Sequence, residues 1–250
     1  MYSFYDLQEK IKTNFRFSGQ EVKAILITVL ASAFILTFRS WGAATFDFNA
    51  GLKNLFNAFL IVALCLVVKV SVQKIYSLHI GYKFEYRLWF YGIIAAVLIT
   101  FLSNGYLPLL ALGGFVIEMM PGHRLGYFRY GINYYSIGVI ALMGPLSSIA
   151  LALFFRMFSF LNNPLIDVAI RFNVFIAFFS MLPFPPLDGG KILYAARPLY
   201  VFSLAGILAA GLLILFKESI PMVILGALLI AVLGWAVYFF GYEFKVQTRK

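Results

Sequence analysis

The chain has 250 residues, of which 62% are hydrophobic and only 12% charged. That balance excludes an ordinary water-soluble domain and leaves no room for a separate soluble one beside the apolar segments. The net charge of +10 comes from lysines and arginines dispersed between apolar runs, which fits membrane orientation and argues against nucleic acid as a partner.

The first 22 residues, MYSFYDLQEKIKTNFRFSGQEV, are polar and mixed in charge. A cleaved signal peptide needs a short basic start followed at once by an apolar core, so the first helix is expected to stay in the membrane. SGQE at Ser18–Glu21 has capping-box spacing and predicts a helix start just before the apolar run at 24–38. In the second apolar run, from Leu55 through Val68, only Asn57 interrupts. The run contains the single cysteine, Cys65, so no intrachain disulfide can form. Lys69 then follows inside the span, with Val70 behind it and Gln73 one turn on. A lysine at the centre of a membrane helix costs about 2.5–3.5 kcal/mol on insertion scales. Lys69 therefore either snorkels along its methylene stem to the interface or meets a buried partner. Gln73 reads as an interhelical hydrogen bonder.

Residues 88–117 carry no charge over 30 positions, too long for one plain span, and include the breakers SNG at 103–105 and Pro108. The segment crosses once or returns as a hairpin, and basic residues discriminate. If it returns, six crossings place 14 Lys and Arg on one side and 4 (Arg39, Lys53, Arg156, Lys217) on the other. If it crosses, the sides hold 9 and 9. Loops rich in Lys and Arg stay cytoplasmic, so six crossings with both termini cytoplasmic are expected.

Further apolar runs cover 130–155, 198–216 and 219–242. Asp167 and Arg171 have i,i+4 spacing and are expected to pair with each other. In LPFPPLDGGKIL at 182–193, three prolines stop a helix and set Asp188 in a Gly-rich turn. In the six-crossing arrangement Lys69 and Gln73, the MGPL run at 143–146, and Asp188 converge near the cytoplasmic face. Irregular backbone at that depth is tolerated when it is buried in protein or lines a polar cavity, so an intramembrane site is expected there. His79 and His123 are alternative ligand candidates, but His79 lies more than two helical turns beyond Lys69.

The run NVFIAFFSMLPFPPLDGGKIL from Asn173, with ALMGPLSSIALAL from Ala141 and HIGYKFEYRLW from His79, resembles the site-2 protease family of intramembrane zinc metalloproteases, most of all its archaeal and bacterial members. The resemblance covers roughly residues 17–240. It implies that Asp188 matches the third zinc ligand, Asn173 a residue at the reaction centre, and Gly144, Pro145, Pro186, Gly189 and Gly190 the surrounding motif. The segment at 113–128 resembles the family's membrane-associated strand, which holds substrate as an added strand. Counting back twelve residues from Gly81 sets KVSVQ where the family has HExxH: Lys69 for the first histidine, Val70 for the glutamate and Gln73 for the second histidine. HExxH supplies two imidazole ligands one turn apart and a base for the metal-bound water. Here none of the three remains.

The resulting expectation is an all-α polytopic membrane protein with about six transmembrane helices, a re-entrant hairpin and short strands. Residues 1–22 and 243–250 would be cytoplasmic tails around one domain at 23–242. The resemblance with its losses implies a catalytically inactive protease homologue in a prokaryotic, archaeal-like cell membrane, without a cofactor, whose partners are transmembrane segments of other proteins. The alternatives are an active zinc enzyme with unusual ligands such as His79 and Asp188, or a transport or lipid-interacting protein on the same fold. Lys69 is expected to pair with Asp188 in place of the metal, with snorkelling as its alternative.

Overall fold

The computed structural model describes residues 4–42, 46–120 and 132–243. Helix α1 (Phe4–Asn14) lies within the expected tail and packs against α3, so the N-terminal segment is more ordered than its polar composition suggests. Helix α2 (Gly19–Thr37) begins at the expected cap. The Ser18 hydroxyl accepts from the Glu21 N–H at 3.1 Å, and the Glu21 carboxylate accepts from the Ser18 N–H at 2.9 Å. These two bonds satisfy donors that the helix start would otherwise orphan.

Helix α3 (Phe48–Ile80) has 33 residues, or about 50 Å of rise. Asp47 caps its start, and Gly81 ends it at φ 102°, a left-handed conformation that glycine adopts without strain. Strands β1 (Tyr82–Leu88) and β2 (Gly113–Met119) pair antiparallel from Tyr82↔Met119 to Leu88↔Gly113. Helix α4 (Phe90–Leu102) and an extended return lie between them. The segment closes on itself, because the Trp89 N–H donates to the Leu112 carbonyl at 3.0 Å. It therefore leaves and re-enters at one level without a net crossing.

Helices α5 (Tyr134–Met157), α6 (Pro164–Ser180), α7 (Asp188–Ala195), α8 (Arg197–Leu215) and α9 (Ile220–Tyr238) complete the bundle. By length and hydropathy α2, α3, α5, α8, and α9 with its short extension to Tyr242, can each cross a membrane. Helix α6, with 17 residues, rises about 25 Å. The chain is an all-α polytopic membrane protein, with one two-stranded sheet among the described residues.

The core lies where α3 meets α2, α5 and α6, around Val62, Leu66, Val70, Ile140 and Phe172. Asp188 is not in a free turn, as the Gly-Gly sequence suggests, but is the first residue of α7. A β-carbon on Gly189 would run into the Met181 carbonyl, and one on Gly190 into that of Phe184. The two glycines thus serve close approach of α7 to the proline-rich loop rather than turn flexibility.

Candidate functional site

Three elements bring the polar side chains together inside the bundle. Helix α3 contributes Lys69 and Gln73, four residues apart and so on one face. The proline loop ends at α7 and presents Asp188. Helix α5 passes behind with Gly144 and the Ala141 carbonyl.

The Lys69 ammonium lies 3.0 Å from one Asp188 oxygen, and the residues are only 8% and 3% exposed. Gln73 Nε2 donates to the other Asp188 oxygen at 3.2 Å and to the Ala141 carbonyl at 3.3 Å. Lys69 is thus paired within the protein and does not snorkel. Gly144 is needed at this point, because a β-carbon there would run into the Gln73 amide and the Asp188 carboxylate. Pro145, one residue on, is buried inside α5. It leaves the Ala141 carbonyl without its helical N–H partner, and Gln73 takes that acceptor.

Val70 is fully buried in the apolar core and offers no proton acceptor. Asn173 lies on α6, where its Nδ2 donates to Cys65 Sγ at 3.1 Å and to the Ala169 carbonyl at 2.8 Å. It joins α6 to α3 without bonding to Lys69, Gln73 or Asp188. Its Oδ1 is buried without a hydrogen-bond partner in the protein.

This donor set does not fit zinc. An ammonium has no lone pair to give, a carboxamide is a poor ligand, and both Asp188 oxygens already face Lys69 and Gln73. Among the described residues no group of three His, Cys, Asp or Glu converges. His79 is exposed in the last turn of α3, with its ring 6.2 Å from that of Tyr76. Ten residues of helix, about 15 Å, separate it from Lys69. His123 lies outside the described residues.

A protein of Methanocaldococcus jannaschii named "Putative zinc metalloprotease MJ0611" is 30% identical over 185 residues, which cover 72% of this chain and 86% of the relative. The chain belongs to that metalloprotease family. No family profile and no solved structure matches it.

Two features around this site were not legible in the sequence. Lys191, counted only as a cytoplasmic charge, donates to the Pro186 carbonyl at 2.8 Å and lies 4.2 Å from the centre of the Phe115 ring. Burial lowers its ammonium to about 8; Asp188 opposes this shift and Lys69 adds to it. Gly114 on β2 lies so close to the Pro186 carbonyl that a β-carbon would collide with it. The strand is thus drawn against the loop that carries Asp188.

The second feature is another buried ion pair. Lys74, on α3, contacts Glu21 at 2.7 Å and donates to the Arg16 carbonyl at 2.8 Å. Glu21 also accepts from the Tyr86 N–H at 3.0 Å. The Ser18–Glu21 spacing revealed a cap, but nothing local could reveal a partner 53 positions away. Asp167 and Arg171, by contrast, do not come within ion-pair distance. Both line a small cavity of about 80 Å³ with Arg156 and Lys217. Helical spacing gives two side chains the opportunity to pair but does not make them choose it.

Proposed function

We propose that the chain is a catalytically inactive member of the site-2 protease branch of its family, one that binds or regulates membrane proteins. The carrying observation is the buried contact of Lys69 with Asp188 at 3.0 Å, where the resemblance puts a histidine and an aspartate on one zinc ion. The ammonium supplies a positive charge to the carboxylate in place of the metal. Val70 stands where the general base belongs, and it can neither accept a proton nor polarise water. Without a metal to polarise a peptide carbonyl or a base to activate water, hydrolysis has no route at this site.

Metal analysis of the detergent-purified protein, with a cleavage assay on a transmembrane model substrate, tests the reading. Well under one equivalent of zinc and no cleavage are expected. Stoichiometric zinc that disappears on Asp188→Ala would overturn it. Both termini are proposed to be cytoplasmic, on the 14-to-4 distribution of basic residues. Cysteines introduced at positions 5 and 248 in a Cys65→Ser background should then label from one side with an impermeant reagent.

A further inference from the structure

Remote from Lys69 and Asp188, at the opposite end of the bundle, four elements line an open cavity of about 440 Å³. Helix α2 and the residues just beyond it contribute Ile35 and Arg39; the turn after α4 contributes Gly105 and Tyr106. Helix α6 contributes Val168 and Arg171, and α8 closes one side with Leu215. The volume falls in the ordinary range for small-molecule sites, about 300–1,000 Å³.

The cavity has two kinds of wall. One is apolar, from Ile35, Val168, Phe175 and Leu215. The other carries two guanidinium groups and the hydroxyls of Ser40 and Tyr106. Among the described residues neither Arg39 nor Arg171 is within ion-pair distance of a carboxylate. Asp167 lines the smaller neighbouring cavity together with Arg171, but does not line this one.

Arg39 is held in place. Its guanidinium stacks 3.9 Å from the centre of the Tyr106 ring, and one N–H donates to the Tyr106 hydroxyl at 3.2 Å. Gly105, at φ 74°, makes this possible, because a β-carbon there would lie 2.7 Å from Arg39 Cγ. A guanidinium has five N–H donors, so one bond to Tyr106 leaves several to offer. Arg171 sits seven residues into α6, about 10 Å along the helix from Pro164. Arg171 is exposed and lines both this cavity and the smaller one that it shares with Asp167, Arg156 and Lys217.

We propose that this cavity binds the phosphate of an anionic membrane lipid, with Arg39 and Arg171 gripping the headgroup and the apolar wall receiving the start of an acyl chain. Arginine suits the task, since its planar fork matches two phosphate oxygens. The apolar wall distinguishes a lipid-borne phosphate from a free one, because a free dianion gains nothing from Ile35, Val168 or Leu215.

Native mass spectrometry of the full-length purified protein, with dihexanoyl phosphatidylglycerol, dihexanoyl phosphatidylcholine and inorganic phosphate as separate probes, tests the assignment. One phosphatidylglycerol should be retained per chain, and Arg39→Gln or Arg171→Gln should each weaken it roughly tenfold or more. Lys53→Gln, which removes an exposed lysine elsewhere in the same outer region, should leave it unchanged. Val168→Phe fills the apolar wall while keeping both arginines, and it too should weaken retention. It is an independent test if an arginine variant fails to fold. Equal retention of phosphatidylcholine, displacement of the lipid by an equal concentration of inorganic phosphate, or an equal loss in Lys53→Gln would each overturn the proposal.

Discussion

Helix α3 carries two buried lysines five residues apart, and they are held in different ways. Lys74 meets Glu21 at 2.7 Å in a well-aligned hydrogen bond, and it also donates to the Arg16 carbonyl. Glu21 in turn accepts from the N–H groups of Ser18 and Tyr86. Lys69 meets Asp188 at 3.0 Å, with the one further bond at the carboxylate coming from Gln73. Lysine has three donors, and among the described residues Asp188 is the one polar partner of Lys69. The first arrangement ties three chain segments together and satisfies nearly every polar atom. The second leaves ammonium donors of Lys69 over. The two buried pairs on one helix thus differ in how completely their hydrogen bonds are met.

The sharpest way to break this comparison is to remove both partners of each pair. Glu21→Leu should cause the largest loss of stability, because it strands the Lys74 ammonium and removes the acceptor of Ser18 and Tyr86. Breaking a buried pair costs about 3–5 kcal/mol, and the lost cap adds about 1 kcal/mol. Adding Lys74→Met should not rescue it, since two backbone N–H groups remain without an acceptor. Thermal or SDS unfolding measures both.

Next come Lys69→Met and Asp188→Leu. Each should cost about 3–5 kcal/mol, and the double variant should recover much of that, because apolar residues of similar size leave few orphaned groups. Strictly additive losses would mean that the two residues do not interact. Gly144→Ala should cost less, about 1–3 kcal/mol, by forcing Gln73 and Asp188 apart. The smallest effect is expected for Asn173→Leu. One buried oxygen there already lacks a partner, so losing the amide while filling its volume should change stability by less than about 1.5 kcal/mol in the same assay.

How far the sequence foretold this depends on the range of each interaction. The start of α2 was legible because a capping box is local, with all its partners within three residues. The return of residues 88–117 was legible from charge asymmetry and breakers, and the strand pairing closes the segment as expected. The approach of Lys69 to Asp188 spans 119 positions, and only the resemblance to metal ligands put them together. Glu21 with Lys74 had no such guide, and Asp167 with Arg171 shows the opposite failure, where a favourable local spacing goes unused. The two glycines after Asp188 were read as turn formers, although what they supply is the absence of a β-carbon.

The closed segment between the strands also bears on the surrounding lipid. Helix α4 has 13 residues, about 20 Å of rise, against a hydrocarbon core of about 30 Å. Its outward side is apolar: Tyr91, Leu98, Phe101 and Leu102 are all exposed. Acyl chains beside it therefore meet a greasy surface about a third too short, and they must shorten by disorder or let headgroups and water sink toward the turn at Gly105. Such mismatch costs a fraction of a kcal/mol per Å. The protein should accordingly prefer thin, fluid bilayers and should locally thin thicker ones along the flank that α4 occupies, so membrane composition becomes a variable of its stability.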